Sequence, residues 1–133
     1  MPKAGDTYEV DLEPSHLGWG NHRYTETRDI IYGEGYVPIP LGFARTHSVY
    51  NSNHSPEGMG TNLYFASSRD GYLQNVLLLA QGCKEAGDEL AKQFSVQGDL
   101  KEIGRWYASQ RATTANSVRV TWTSPTELQL EII

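Results

Sequence analysis

Val118-Arg119-Val120-Thr121-Trp122 and Leu128-Gln129-Leu130-Glu131-Ile132, separated by Ser124-Pro125-Thr126, decide how this chain is read. Both runs alternate apolar and polar residues, the period of a strand with one buried face, and the triplet between them has turn chemistry. A closing hairpin is therefore predicted. The same alternation recurs upstream in Tyr8, Val10 and Leu12. Strands are predicted over 62–67 and 72–80, joined by the turn Ser68-Arg69-Asp70-Gly71, with a weaker strand over 89–96. Ile30-Ile31-Tyr32 and Tyr36, Val37, Ile39 read as one strand interrupted at Gly33-Glu34-Gly35, and Pro38 and Pro40 end it at a sheet edge.

Helical signals are fewer. Residues 100–110 place Leu100, Ile103 and Tyr107 on one face, with Asp99 and Glu102 spaced as a capping box. Pro40 is suited to open a short helix through Leu41, Phe43, Ala44 and His47. The expected fold is mainly β: about seven short strands with two short helices. Closing such a sheet into a small barrel would remove its vulnerable edges.

The chain has 133 residues, enough for one domain spanning 1–133, and no repeat or linker divides it. Three Trp, eight Tyr and three Phe argue against disorder. The longest apolar run, Val76 to Ala80, is far short of a membrane span, so no membrane partner is expected. The single cysteine, Cys83, excludes an internal disulfide. The opening Met1-Pro2-Lys3-Ala4-Gly5-Asp6 shows no signal or transit peptide, and a cytoplasmic location is expected.

Net charge is −5, which on its face argues against a nucleic-acid partner. Its distribution argues otherwise. Residues 1–13 carry −3 and the last seven residues −2, so the stretch between them is neutral. Arginine outnumbers lysine there, and its planar fork suits bidentate recognition.

Three polar stretches break the pattern. Residues 14–29 read as one long loop, 51–60 as a second and 82–88 as a third. Loops of such length usually carry function. Together they offer Asn21, His22, Arg23, Tyr24, Thr25, Arg28, Asn51, Ser52, Asn53, His54 and Lys84, near Ser67, Ser68 and Arg69. These side-chain types read base edges and hold phosphates. Catalytic alternatives are thinner. Cys83 has Lys84 beside it but no histidine near in sequence, and His16, His22, His47 and His54 lack the i, i+4 spacing of a helical zinc motif. Asp88, Glu89 and Lys92 are the nearest approach to a nuclease cluster. The Gly18-Trp19-Gly20 and Gly33-Glu34-Gly35 pieces open no strand–helix–strand unit and are not dinucleotide fingerprints. No catalytic residue, metal or cofactor is expected.

Trp19-Gly20-Asn21, followed by Glu34-Gly35-Tyr36-Val37-Pro38-Ile39-Pro40, resembles the opening signature of a bacterial DNA-recognition domain. That domain is appended to phospholipase-D-type restriction endonucleases of the NgoAVII and BfiI kind. Arg69-Asp70-Gly71, Gln81-Gly82 with the Lys84 region, Gly98 to Tyr107 and the hairpin 118–132 extend the resemblance over nearly the whole chain, although only the first two pieces are specific. It implies a B3-like pseudobarrel whose two loop arms clasp double-stranded DNA and read its major groove. Carried over, the first arm is Trp19, Asn21, His22, Arg23, Tyr24 and Thr25 together with Arg28. The second is either Ser67 to Asp70, with Ser68, Arg69 and Asp70, or Gln81 to Gly87, with Lys84. Ser68-Arg69-Asp70 departs from the family's more acidic turn, and the loop 51–60 has no counterpart in it. A nuclease domain or subunit, in fusion or in complex, is the implied partner.

The competing expectations are a small hydrolase or nuclease using the loop histidines and carboxylates, and a small-ligand barrel with Trp19 and Tyr24 stacking on a sugar or base.

Overall fold

A computed structural model describes residues 2–17, 35–51, 59–60, 62–82 and 89–133. The strands run β1 (Thr7–Asp11), β2 (Val37–Pro38), β3 (Leu63–Ser68), β4 (Val76–Gln81), β5 (Gln93–Val96), β6 (Ser117–Ser124) and β7 (Glu127–Ile132). Helices are α1 (Pro14–Leu17), α2 (Leu41–His47) and α3 (Glu102–Ser109). One seven-stranded sheet results, in the order β1-β6-β7-β3-β4-β5-β2. Every neighbouring pair is antiparallel except β3 with β7. The fold is thus mainly β, as the alternation predicted.

Alternation decides which side chains meet. Tyr8, Tyr64, Ala66, Leu78, Ala80, Phe94, Val118, Val120, Trp122, Leu128 and Leu130 all turn inward and are buried. Their rings form one cluster: Trp122 lies 5.8 Å from Tyr64 and 6.3 Å from Phe94, both between centroids. Helix α2 closes over it with Phe43, 4.8 Å from Tyr8 and 5.1 Å from Trp122. Each large side chain so buried contributes roughly 1.5–3 kcal/mol. Helix α3 adds Ile103, Trp106 and Tyr107 to the same core, all buried.

The sheet curls without closing, which corrects the expectation of a sealed barrel. β2 is two residues long and pairs only with β5, so β1 and β2 share no backbone bond. The Tyr8 hydroxyl instead donates across the seam to the Pro38 carbonyl at 2.8 Å. Burial pushes the Tyr8 phenol well above its ordinary value, with the Tyr107 phenol adding to the rise, so it stays a donor.

Other boundaries move for local reasons. α1 occupies the start of the expected first loop, closed by Leu17 N–H to the Glu13 carbonyl at 3.3 Å. α3 begins at Glu102 without a side-chain cap. Asp99 accepts from Lys101 N–H at 3.1 Å and, with Glu102, binds Arg105, so the capping box is replaced by a turn and an ion-pair cluster. Residues 30–34, the first part of the interrupted strand, lie outside the described residues. Among the described residues, no helix is long and apolar enough to cross a membrane.

Candidate nucleic-acid interface

Three segments frame the candidate site, and the described residues show how each is held. The chain leaves α1 at Leu17 and returns at Gly35. There the Gly35 N–H donates to the Leu100 carbonyl at 3.3 Å and the Tyr36 N–H to the His16 carbonyl at 3.1 Å. Gly35 crosses α3 so closely that a Cβ on it would sit 2.8 Å from the backbone of Gly104, which explains why the quoted signature needs glycine here. The Tyr107 hydroxyl then donates to the Tyr36 carbonyl at 2.6 Å, and the Ile39 N–H to the Lys92 carbonyl at 2.8 Å. His16 is held as well, its Nδ1 accepting the Glu13 N–H at 3.0 Å. Burial lowers the His16 pKa, against a smaller upward pull from Glu13, so the neutral ring that this bond requires is favoured. Trp19, Asn21, His22, Arg23, Tyr24, Thr25 and Arg28, the proposed first arm, lie outside the described residues.

The turn between β3 and β4 is a fastening. Ser68 Oγ donates to Asp70 Oδ1 at 2.7 Å and accepts the Leu73 N–H at 2.8 Å. Asp70 Oδ1 also accepts the Tyr72 N–H at 2.8 Å, while Oδ2 accepts Trp106 Nε1–H from α3 at 2.8 Å. Ser67 Oγ accepts the Asn75 N–H at 2.9 Å. Burial alone would raise the Asp70 carboxyl; the bonds from Ser68, Tyr72 and Trp106 outweigh it and hold the group below the ordinary carboxylate range. The polar atoms of Ser67, Ser68 and Asp70 are therefore engaged inside the chain. The Arg69 side chain is 68% exposed and pairs with Glu131 at 3.2 Å.

The segment 83–88, with Lys84, lies outside the described residues, but its supports are clear. Gln81 accepts the Lys92 N–H at 2.7 Å through its carbonyl and Ser95 Oγ at 2.9 Å through its side chain. Beyond it, Asn51 N–H donates to the Glu89 carbonyl at 3.0 Å and Ala91 N–H to the Val49 carbonyl at 2.9 Å. That short pairing sets the supports of segments 52–58 and 83–88 side by side. Sequence reasoning missed it, because neither Val49-Tyr50-Asn51 nor Glu89-Leu90-Ala91 alternates in character.

β2 and β4 run in the same direction, so Gln81 lies beside Pro38 and leads away from Gly35, whereas β3 delivers Ser68 and Asp70 to the end of the sheet where Gly35 enters β2. Asp70 and Gly35 also meet the same helix, at Trp106 and at Gly104.

Several of the scaffold's charges are paired. Across the outer face Glu9 meets Arg119 at 2.6 Å, Arg119 meets Glu131 at 3.1 Å, and Glu131 meets Arg69. Exposed pairs of this kind stabilise little, but they neutralise the arginines involved. Arg105 is held by Asp99 and Glu102. Among the described residues, no three His, Cys, Asp or Glu side chains gather to hold a metal ion.

No family model matches the chain, and no curated protein matches it. A solved structure, that of the hypothetical Arabidopsis thaliana protein At1g16640.1, is similar in fold, with a TM-score of 0.52 at 10% identity, over 100% of this chain and 95% of that one. At that identity the likeness concerns the fold alone.

Proposed function

We propose that the chain is a sequence-specific double-stranded DNA-binding module of a restriction system. It reads bases in the major groove with two loop arms and works in the cytoplasm with a nuclease domain or subunit. The first arm is Trp19 to Thr25 with Arg28, and the second is Ser67 to Asp70 or Gln81 to Gly87 with Lys84. The observation that carries this reading is the division of polar chemistry between scaffold and loops. Ser68, Asp70, Arg105 and Arg119 are bonded within the chain, whereas the base-reading side-chain types Asn21, Arg23, Arg28 and Lys84 belong to the long polar stretches of the sequence. The resemblance of the 19–21 and 34–40 pieces to restriction-enzyme recognition domains supports the same reading.

Phosphate contacts would supply affinity and a negative slope of log affinity against log salt, and base contacts would set the site. Binding to random and defined duplexes by fluorescence anisotropy over a salt series tests this. Expected is salt-dependent binding that Arg28→Ala weakens on every duplex. Binding without salt dependence, or cleavage of duplex by the isolated chain with magnesium or zinc, would favour the hydrolase reading instead.

A further inference from the structure

The sheet has two edges, and the chain treats them differently. On β2 every outward group is met. The Tyr36 N–H and carbonyl are taken by His16 and Tyr107, Pro38 has no N–H, and the Pro38 carbonyl accepts the Tyr8 hydroxyl. On β1 the phase of pairing leaves the opposite result. Trp122 N–H to the Asp6 carbonyl at 2.8 Å and Leu12 N–H to the Asn116 carbonyl at 3.1 Å bracket the ladder. Between them Tyr8 and Val10 face β6, so Thr7, Glu9 and Asp11 direct their N–H and carbonyl groups away from it. No hydrogen bond among the described residues meets those backbone groups, and all three residues are exposed. A bare edge of this kind is a template for one more strand.

Charge selects the occupant. Glu9 and Asp11 stand on the outer face of the edge, in a segment 1–13 that carries −3. Glu9 binds Arg119 through Oε1 and Asp11 accepts Ser117 Oγ through Oδ1, so each keeps a second carboxylate oxygen without a bond among the described residues. A cation on the next strand would continue the Glu131–Arg119–Glu9 alternation. A nucleic-acid strand would be repelled. A second copy pairing β1 with β1 would set acid against acid, which is destabilising across strands. On the inner face Val10 is only partly buried, packed against the core and left for an apolar neighbour to cover.

We infer that β1 is the docking edge for an extended basic segment of a partner protein, which adds a strand beside Thr7–Asp11. Residues opposite Glu9 and Asp11 are lysine or arginine, and those between them are apolar and cover Val10. This stands apart from DNA reading, because it uses a different face and the opposite charge.

The probe is a capped hexapeptide alternating lysine and valine, with the glutamate–valine peptide as its counterpart, titrated into the isotope-labelled chain and followed by amide hydrogen exchange. The basic peptide is expected to bind and to slow exchange at Thr7, Glu9 and Asp11, while Tyr8 and Val10, already bonded to β6, change little. The acidic peptide is expected not to bind. Glu9→Pro removes one outward N–H, along with the Glu9 charge and its ion pair to Arg119, while leaving the backbone bonds to β6. It weakens the basic peptide beyond Glu9→Thr by up to roughly tenfold, the range of one hydrogen bond. Glu9→Thr keeps that N–H, weakens binding through charge alone and leaves the exchange pattern intact. No binding, equal binding of both peptides, or binding with exchange at Thr7, Glu9 and Asp11 unchanged would overturn the proposal. Should Glu9→Pro fail to fold, the exchange pattern of the unaltered chain decides.

Discussion

Asp70→Asn separates a structural role for the β3–β4 turn from a base-reading one. The carboxylate accepts three donors in the chain: Ser68 Oγ, the Tyr72 N–H and Trp106 Nε1. An amide of the same shape can present only one oxygen. Either Trp106 Nε1–H or the Tyr72 N–H then meets another donor. Trp106 is fully buried, so its N–H has no water to turn to. An unsatisfied buried donor costs about 1–3 kcal/mol. The Asp70 residue itself is exposed and its charge is screened, which favours the lower half of that range, about 1–2 kcal/mol. For a chain of 133 residues this corresponds to a fall of about 4–8 °C in Tm. Thermal unfolding by circular dichroism measures it, and selection of bound duplexes measures base preference in parallel. Expected is reduced stability with the preferred sequence unchanged. Unchanged stability with an altered preferred sequence would refute the structural role and place the second arm at Ser67–Asp70.

Three further outcomes follow from the geometry. Gly35→Ala places a Cβ 2.8 Å from the Gly104 backbone, and should destabilise by about 1–3 kcal/mol in urea unfolding, as overpacking does. Arg23→Ala, if Arg23 reads guanine, should cost roughly 1–3 kcal/mol at one base position, seen as relaxed preference there in competition binding. Stability should fall on acidification in two stages. His16, lowered from its ordinary 6.5 by burial, must be protonated as pH drops below that value and loses the Glu13 bond; Asp70, also lowered, keeps its contribution until pH falls through its depressed folded value. A pH series of unfolding midpoints reads both stages, and His16→Gln should lack the upper one.

Much of the fold was legible in alternation. β1, β6 and β7 lie where Tyr8-Val10-Leu12 and the closing hairpin put them, because an open sheet face repeats every second residue. α2 follows Pro40 for the reason a helix start tolerates proline. What failed was long-range. β4 starts at Val76 instead of 72, since Asp70 curls the preceding residues into a turn through Trp106, thirty-six positions away, and no local pattern encodes that bond. The barrel stays open because β2 has only two paired residues, each edge bond beyond them being claimed by α1 or Tyr107. The proposed first arm was legible as composition, in Asn21, Arg23 and Arg28, whereas the end of the sheet at which each loop lies depends on the register of β2, β5, β4 and β3, which only coordinates supply. Ser68 and Asp70 have the residue types of base readers, and type alone could not show that their polar atoms are already engaged.

The central claim is that this scaffold presents two arms to a defined DNA sequence. Selecting bound duplexes from a random pool, and sequencing them, tests it most directly. A consensus of about four to six base pairs is expected, with binding weakened by added salt and the consensus lost in Arg23→Ala with Lys84→Ala. A bound pool as random as the input, with retention indifferent to salt, would contradict it.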